Sequence, residues 1–207
     1  MTVSETMDSP PEHASLIGVV EHLADKAPDE GLTLKEIIHQ LGDRAFGAAL
    51  FVLALPCAIP FLWGVPQIVS VPMMVLALQM AIGRHEPWLP EKLAQRVMGK
   101  EDLTKLSRFA RKYFGWAERL SHPRLTFLTG NVMDRVVGVI LVVFCASILT
   151  PLPGTNTAPG IAVAIVAFGQ MEEDGVLISG GIVLGAAWIS LLLMGGTTLI
   201  KSLLGMI

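Results

Sequence analysis

The stretch Ala45–Gly83, AFGAALFVLALPCAIPFLWGVPQIVSVPMMVLALQMAIG, holds 39 residues without a single Asp, Glu, Lys, Arg or His. Within it Pro56, Pro60, Gly64, Pro66 and Pro72 fall inside 17 positions. A bilayer core of ~30 Å takes about 20 apolar helical residues, so this run is too long for one crossing and barely long enough for two. No continuous helix survives that density of proline and glycine. A break over roughly Pro56 to Val65 leaves legs of about 11 and 18 residues, and at ~1.5 Å per residue the shorter reaches about half of the core. The stretch therefore reads as a re-entrant or short-legged helical hairpin, or as a discontinuous helix. Freed amides and carbonyls at that depth are tolerated only where protein buries them or a wet cavity meets them.

Two more charge-free runs follow, Val136–Met171 with 36 residues and Gly175–Ile200 with 26. Across all 207 residues the chain is 52% hydrophobic and 16% charged, with a mean hydropathy of +0.60. Soluble domains carry ~25% charged residues, so a membrane protein is expected and a soluble enzyme with a polar surface is excluded. Cys57 and Cys145 lie inside the first two apolar runs, outside any CxxC or Cys/His cluster, and read as small buried hydrophobes. His13, His22, His39, His85 and His122 are scattered without ligand spacing, so no metal site and no cofactor is expected. The acidic, polar Met1–Pro11 resembles neither a cleavable signal nor a transit peptide, which leaves insertion to the first apolar run.

The second run repeats the first. A shift of 91 positions places Asp43-Arg44 on Asp134-Arg135, Gly47 on Gly138, Pro60 on Pro151 and Gln79-Met80 on Gln170-Met171. With Leu50/Leu141, Val52/Val143 and Val75/Val166, nine of 38 positions are identical. A slip of two residues also aligns Pro60 with Pro153 and Val65-Pro66 with Ala158-Pro159. Two copies of one unit are expected: Asp-Arg, an apolar leg, a Pro/Gly break, a second leg, then Gln-Met. In the second copy Pro151, Pro153, Gly154, Pro159 and Gly160 supply the break.

Ahead of the first unit, Ser15 can cap a helix over Leu16–Lys26, with Leu16, Val19, Val20 and Leu23 on one face. Pro28-Asp29-Glu30-Gly31 turns the chain, and Thr33 with Glu36 forms a capping box for a second helix bearing Leu34, Ile37, Ile38 and Leu41. These helices lie on the membrane surface or pack as an appendage on the protein itself. Between the units, Arg84–Arg124 carries ten Lys or Arg against five Asp or Glu, interleaved with Leu93, Val97, Leu103, Leu106, Phe109, Phe114 and Trp116. That pattern suits an interfacial helix, and its basic charge a cytoplasmic location. Its charges either meet anionic headgroups or only fix topology. Residue boundaries follow: 1–42 polar amphipathic helices, 43–83 the first repeat, 84–133 the basic linker, 134–174 the second repeat, 175–207 a C-terminal transmembrane helix. The expected fold is an all-α integral membrane protein with two broken-hairpin repeats.

Candidate substrate-binding residues come from the polar positions of the units. Paired broken helices point to a transporter site, where free helix amides face an anion. Thr155, Asn156 and Thr157 in the second break either bind a phosphate or carboxylate or satisfy freed backbone groups. Arg44 and Arg135 offer the planar fork suited to phosphate, beside Asp43 and Asp134, or they snorkel at a membrane boundary. Gln79 and Gln170 bond between the repeats or contact a ligand. Glu172-Glu173-Asp174 reads as a solvated loop. No apolar run holds a carboxylate pair, a Ser/His pair or a metal cluster, so no enzyme is expected.

Leu41-Gly42-Asp43-Arg44-Ala45-Phe46-Gly47, Gly83-Arg84-His85-Glu86-Pro87-Trp88-Leu89-Pro90 and Pro151-Leu152-Pro153-Gly154-Thr155-Asn156-Thr157 resemble the exopolysaccharide synthesis protein ExoD family. The resemblance spans about Ser15 to Ile200, and Gly-Arg-x-x-Pro-Trp-Leu-Pro is its most specific piece. It implies a multi-pass protein of the bacterial inner membrane linked to exopolysaccharide production and alkaline tolerance, and it transfers no catalytic residue. Two functions fit. One is a transporter or flippase for an anionic substrate such as a polyprenyl phosphate. The other is a non-transporting accessory or scaffold subunit of the polysaccharide assembly machinery. Expected partners are membrane lipids, with a polyprenyl phosphate or other anionic lipid among them; Gly180, Gly181, Gly185, Gly195 and Gly196 leave room for close helix packing, within the chain or with a second copy of it, and no nucleic acid is expected. The units stand either parallel or inverted.

Overall fold

A computed structural model of the chain describes residues 16–60, 62, 64–120, 125, 129–150 and 155–204. Met1–Pro11, the Ser15 cap, His122, Arg124 and the break residues Pro151–Gly154 lie outside these. The described chain is helical apart from two short strands. Helix α1 runs Leu16–Lys26, as its apolar spacing predicts, and the turn after it closes with Gly31 N–H donating to the Pro28 carbonyl at 2.9 Å. The two-residue strand β1, Leu32–Thr33, pairs antiparallel with β2, Val97–Met98. Thr33 then caps α2, Leu34–Leu41: its Oγ1 accepts from the Glu36 amide while Glu36 Oε2 accepts from the Thr33 amide.

Gly42–Arg44 forms one 3-10 turn and feeds α3, Ala45–Ala58, which runs through Pro56 and ends where Pro60 keeps the preceding Ile59 extended. Helix α4, Val65–Ala81, starts with Pro66 in its first turn, where a missing amide costs nothing. The polar linker holds α5, Glu91–Ala94, and the 21-residue α6, Lys100–Leu120. Helix α7, Asn131–Ile148, begins three residues before Asp134 and carries the first leg of the second unit. Helix α8, Thr157–Met171, carries its second leg, and α9, Gly175–Leu204, completes the described chain.

Two lobes result. Helices α1, α2 and α6 bury Val19, Leu23, Ala24, Leu32, Ile37 and Leu103 together, so the N-terminal helices pack on the basic linker. The second lobe is the bundle of α3, α4, α7, α8 and α9, around Leu50, Ala54, Met73, Ala77, Leu141, Ala162 and Val166. Its main contacts are crossed: α3 lies against α8, and α4 against α7. Small residues allow this. A Cβ on Gly47 would stand 2.8 Å from the Ala167 carbonyl oxygen, and one on Gly138 would stand 2.5 Å from the Ala81 amide nitrogen.

The outside of the bundle is apolar. Ile68 is 74% exposed on α4, Val139 56% on α7 and Leu193 65% on α9, well beyond the scattered apolar exposure of a soluble surface. Two segments among the described residues are long and apolar enough to cross a membrane, Leu34–Ala58 with 25 residues and Gly175–Gly195 with 21. Helices α4 and α8 are apolar but shorter, at 17 and 15 residues. On α9, Gly181 faces Val166 and Gly185 faces the Phe144 ring, whereas Gly180 and Gly195 face open space.

Candidate functional site

Each unit places its polar residues at helix ends, and the folded bundle collects those ends. Asp43 stands just before α3, Met80 and Gly83 close α4, Asp134 and Arg135 occupy the first turn of α7, and Gln170 ends α8. With Phe46, Arg84 and His85 they line one small open cleft of about 30 Å³. Both hairpins, α3–α4 and α7–α8, therefore open toward the same end of the bundle.

Asp134, in the polar turn ahead of the charge-free run, is held by Gln170, whose Nε2 donates to Oδ1 at 3.2 Å. The bond joins α8 to α7 inside the second unit, so Gln170 does not bridge the two units. The Arg135 side chain lies across Gly83, whose φ of +82° and closeness to the guanidinium leave no room for a Cβ. Gly83→Ala is therefore expected to displace Arg135 and to strain the backbone by ~1–2 kcal/mol. The check is loss of function in a deletion strain at near-normal protein level.

Four of the expected residues, Asp43, Asp134, Arg135 and Gln170, meet in the cleft. Arg44 sits beside it, one guanidinium nitrogen 3.3 Å from Glu173 Oε1. Glu173 is exposed, as a solvated loop requires, but Asp174 corrects that reading of residues 172–174: it is only 3% exposed, and its Oδ1 accepts the Val176 amide at 2.9 Å and so caps α9. Gln79 also differs from its repeat partner. Its side chain clamps Trp88 at both backbone groups, accepting from the amide at 2.6 Å and donating to the carbonyl at 3.2 Å. The Gln79 carbonyl accepts the Arg84 amide at 3.1 Å, so this residue fixes the turn that delivers Arg84 and His85. Gln79→Leu strands two backbone groups at ~1–3 kcal/mol each. A lower thermal midpoint in detergent, together with weakened function, is the expected result.

Thr155, Asn156 and Thr157 lie at the opposite end, where α8 begins. There Gly160 abuts Cys57 at the end of α3, and the Cys57 thiol is 3.9 Å from the Pro66 carbonyl oxygen. The end of α3 and the starts of α4 and α8 thus adjoin. Asn156 is 9% exposed, and its Oδ1 has no hydrogen-bond partner among the described residues. The expected site residues are therefore divided between the two ends of the bundle.

Arg84 and His85 were not among the candidates, although the string Gly83–Pro90 follows Gln79-Met80 directly and was the available signal. Among the described residues, no group of three or more His, Cys, Asp or Glu stands ready for a metal ion. The cleft offers two guanidiniums and an imidazole beside two carboxylates, and the guanidiniums can receive an anionic oxygen group.

A family model described as exopolysaccharide synthesis, ExoD, matches residues 16–194. Protein ExoD of Rhizobium meliloti is 30% identical over 155 residues, which cover 72% of this chain and 64% of that protein. The chain thus spans a little under two thirds of that relative's length. An uncharacterized protein of Synechocystis, slr1875, is 26% identical over 188 residues, 86% of this chain and 88% of its own. No solved structure matches.

Proposed function

The chain belongs to the ExoD family of exopolysaccharide synthesis proteins, and from that premise we propose that it is a multi-pass inner-membrane transporter or flippase-like protein that takes an anionic lipid phosphate, of the polyprenyl phosphate class, into the cleft lined by Arg84 and Arg135. The convergence of these two guanidiniums at the polar mouth of two short hairpins is the observation that carries the reading. Arginine's planar fork suits phosphate oxygens, and the low dielectric beside an apolar bundle strengthens such bonds. The phosphate enters at the polar end, with the hydrocarbon tail along the exposed aliphatic face of α4 and α7.

The crossed packing of α3 on α8 and α4 on α7 supports two copies of one unit, because a two-fold relation between the copies exchanges these pairs. Gly47 and Gly138 support it as well, each at the close approach of its own crossed pair. Each copy is then a hairpin whose two ends lie on one side, and α9 adds a further span. The basic linker holds the cleft on the cytoplasmic side. No catalytic step is part of this reading.

Liposomes loaded with a fluorescent short-chain polyprenyl phosphate test it. The purified protein should expose the inner-leaflet pool to an external quencher, and the Arg84→Ala/Arg135→Ala variant should not. If the wild type leaves that pool protected, the chain has the non-transporting accessory role instead.

A further inference from the structure

Helix α6 presents three separate faces. Leu103 and Ser107 are buried, and Phe114 stands edge-on to Phe51 of α3 with ring centroids 5.0 Å apart, so one face is committed to the protein. A second face is apolar and open: Leu106, Phe109, Tyr113 and Trp116 are 40%, 49%, 51% and 66% exposed. Their spacing of three and four residues stacks them in one stripe. Lys105, Arg108 and Lys112 form the third face directly beside that stripe. From Leu103 to Trp116 there are four basic residues and no acidic one.

We propose that this α6 face docks on an anionic lipid surface, with the stripe Leu106/Phe109/Tyr113/Trp116 sunk at headgroup level and Lys105, Arg108 and Lys112 on lipid phosphates. Charge complementarity argues for this occupant, since a water-exposed aromatic stripe flanked by one basic row is the pattern of helices lying in the interface plane. Continuity argues for it too. Phe51, which meets both Phe114 and Phe168, adjoins Val52, 59% exposed on the outer face of α3, so the stripe runs on from the apolar flank of the bundle. The Phe109 and Tyr113 rings pack tilted with centroids 4.6 Å apart, and the Lys112 ammonium lies 5.3 Å from the Tyr113 ring centroid, so the aromatic and basic rows touch. Lys105 also faces Glu101 and Asp102 at 3.7 and 3.6 Å, exposed pairs that a lipid phosphate can replace. Arg111, turned toward α1, pairs with Glu21 and takes no part. The surface holds the polar lobe against the bilayer and stands apart from any transport by the cleft.

At roughly fivefold per basic side chain near an anionic surface, the three together favour docking by about a hundredfold. The test uses the full chain in vesicles, with a spin label on F109C or W116C. In vesicles containing phosphatidylglycerol the label should be relaxed by oxygen and shielded from a water-soluble nickel chelate. In phosphatidylcholine alone, and in the charge-reversed variant K105E/R108E/K112E with phosphatidylglycerol, nickel access should rise. The comparison of lipids on the wild-type background stands even if the triple variant folds poorly. A label open to nickel in both lipids overturns the proposal. Shielding from both reagents also overturns it, since a second copy or another protein then covers the face.

Discussion

Replacing Arg135 with alanine is expected to abolish complementation of a deletion strain while leaving the protein folded and inserted. Arg135 is the guanidinium that lies over Gly83 in the cleft, and its charged hydrogen bonds to an anionic oxygen are worth ~1.5–3 kcal/mol each, or about ten- to a hundredfold in affinity. Its repeat counterpart Arg44 provides the contrast. That side chain, 17% exposed, turns away to Glu173, itself 48% exposed, and an ion pair with one partner so open to solvent is worth about 1 kcal/mol or less. Arg44→Ala should therefore cost much less function than Arg135→Ala. Equal and complete loss in both single variants would mean that the two arginines share one role and that the cleft does not set them apart.

Gly138→Val is expected to be the most destabilising single change in the bundle. Its Cβ would fall 2.5 Å from the Ala81 nitrogen and 2.9 Å from the Ala77 carbonyl oxygen, both backbone atoms that no rotamer change can move. Forcing α4 and α7 apart costs ~1–3 kcal/mol or more, and it separates Met80 and Gly83 from Arg135 at the same time. Size-exclusion profiles and thermal midpoints in detergent should show a collapsed yield of folded protein. Gly180→Val is the control. A Cβ there meets nothing within 4 Å, and the midpoint should hold.

Much of this architecture could be read from local chemistry. The Leu16–Lys26 helix, the Thr33–Glu36 capping box and the proline-broken stretch after Ala58 depend on residues within a turn of one another, and they stand where spacing and proline chemistry put them. The recurrence of Asp-Arg and Gln-Met at the edges of apolar runs was also readable, because a polar group beside such a run has few possible roles. Pairing of Leu32 with Met98 was not, since two-residue strands carry no periodicity and their register comes from α1 packing on α6. Gln79 and Gln170 look equivalent in sequence, yet one clamps the Trp88 backbone and the other Asp134. What separates them is the turn after Gly83, which exists only beyond α4. Arg84 and His85 join the cleft through that same turn. The awkward length of the charge-free runs directed attention to the breaks, whereas the hairpins they create bring the charged residues together at the opposite end.

Binding of a water-dispersible short-chain prenyl phosphate to the purified protein in nanodiscs, measured by calorimetry beside the matching uncharged prenyl alcohol, tests the cleft most directly. The wild type should bind the phosphate saturably and not the alcohol, and Arg135→Ala should weaken the phosphate by about tenfold or more, the loss of one charge-assisted bond. Equal affinity for phosphate and alcohol, or an affinity unchanged in Arg135→Ala, would contradict a phosphate site in the cleft.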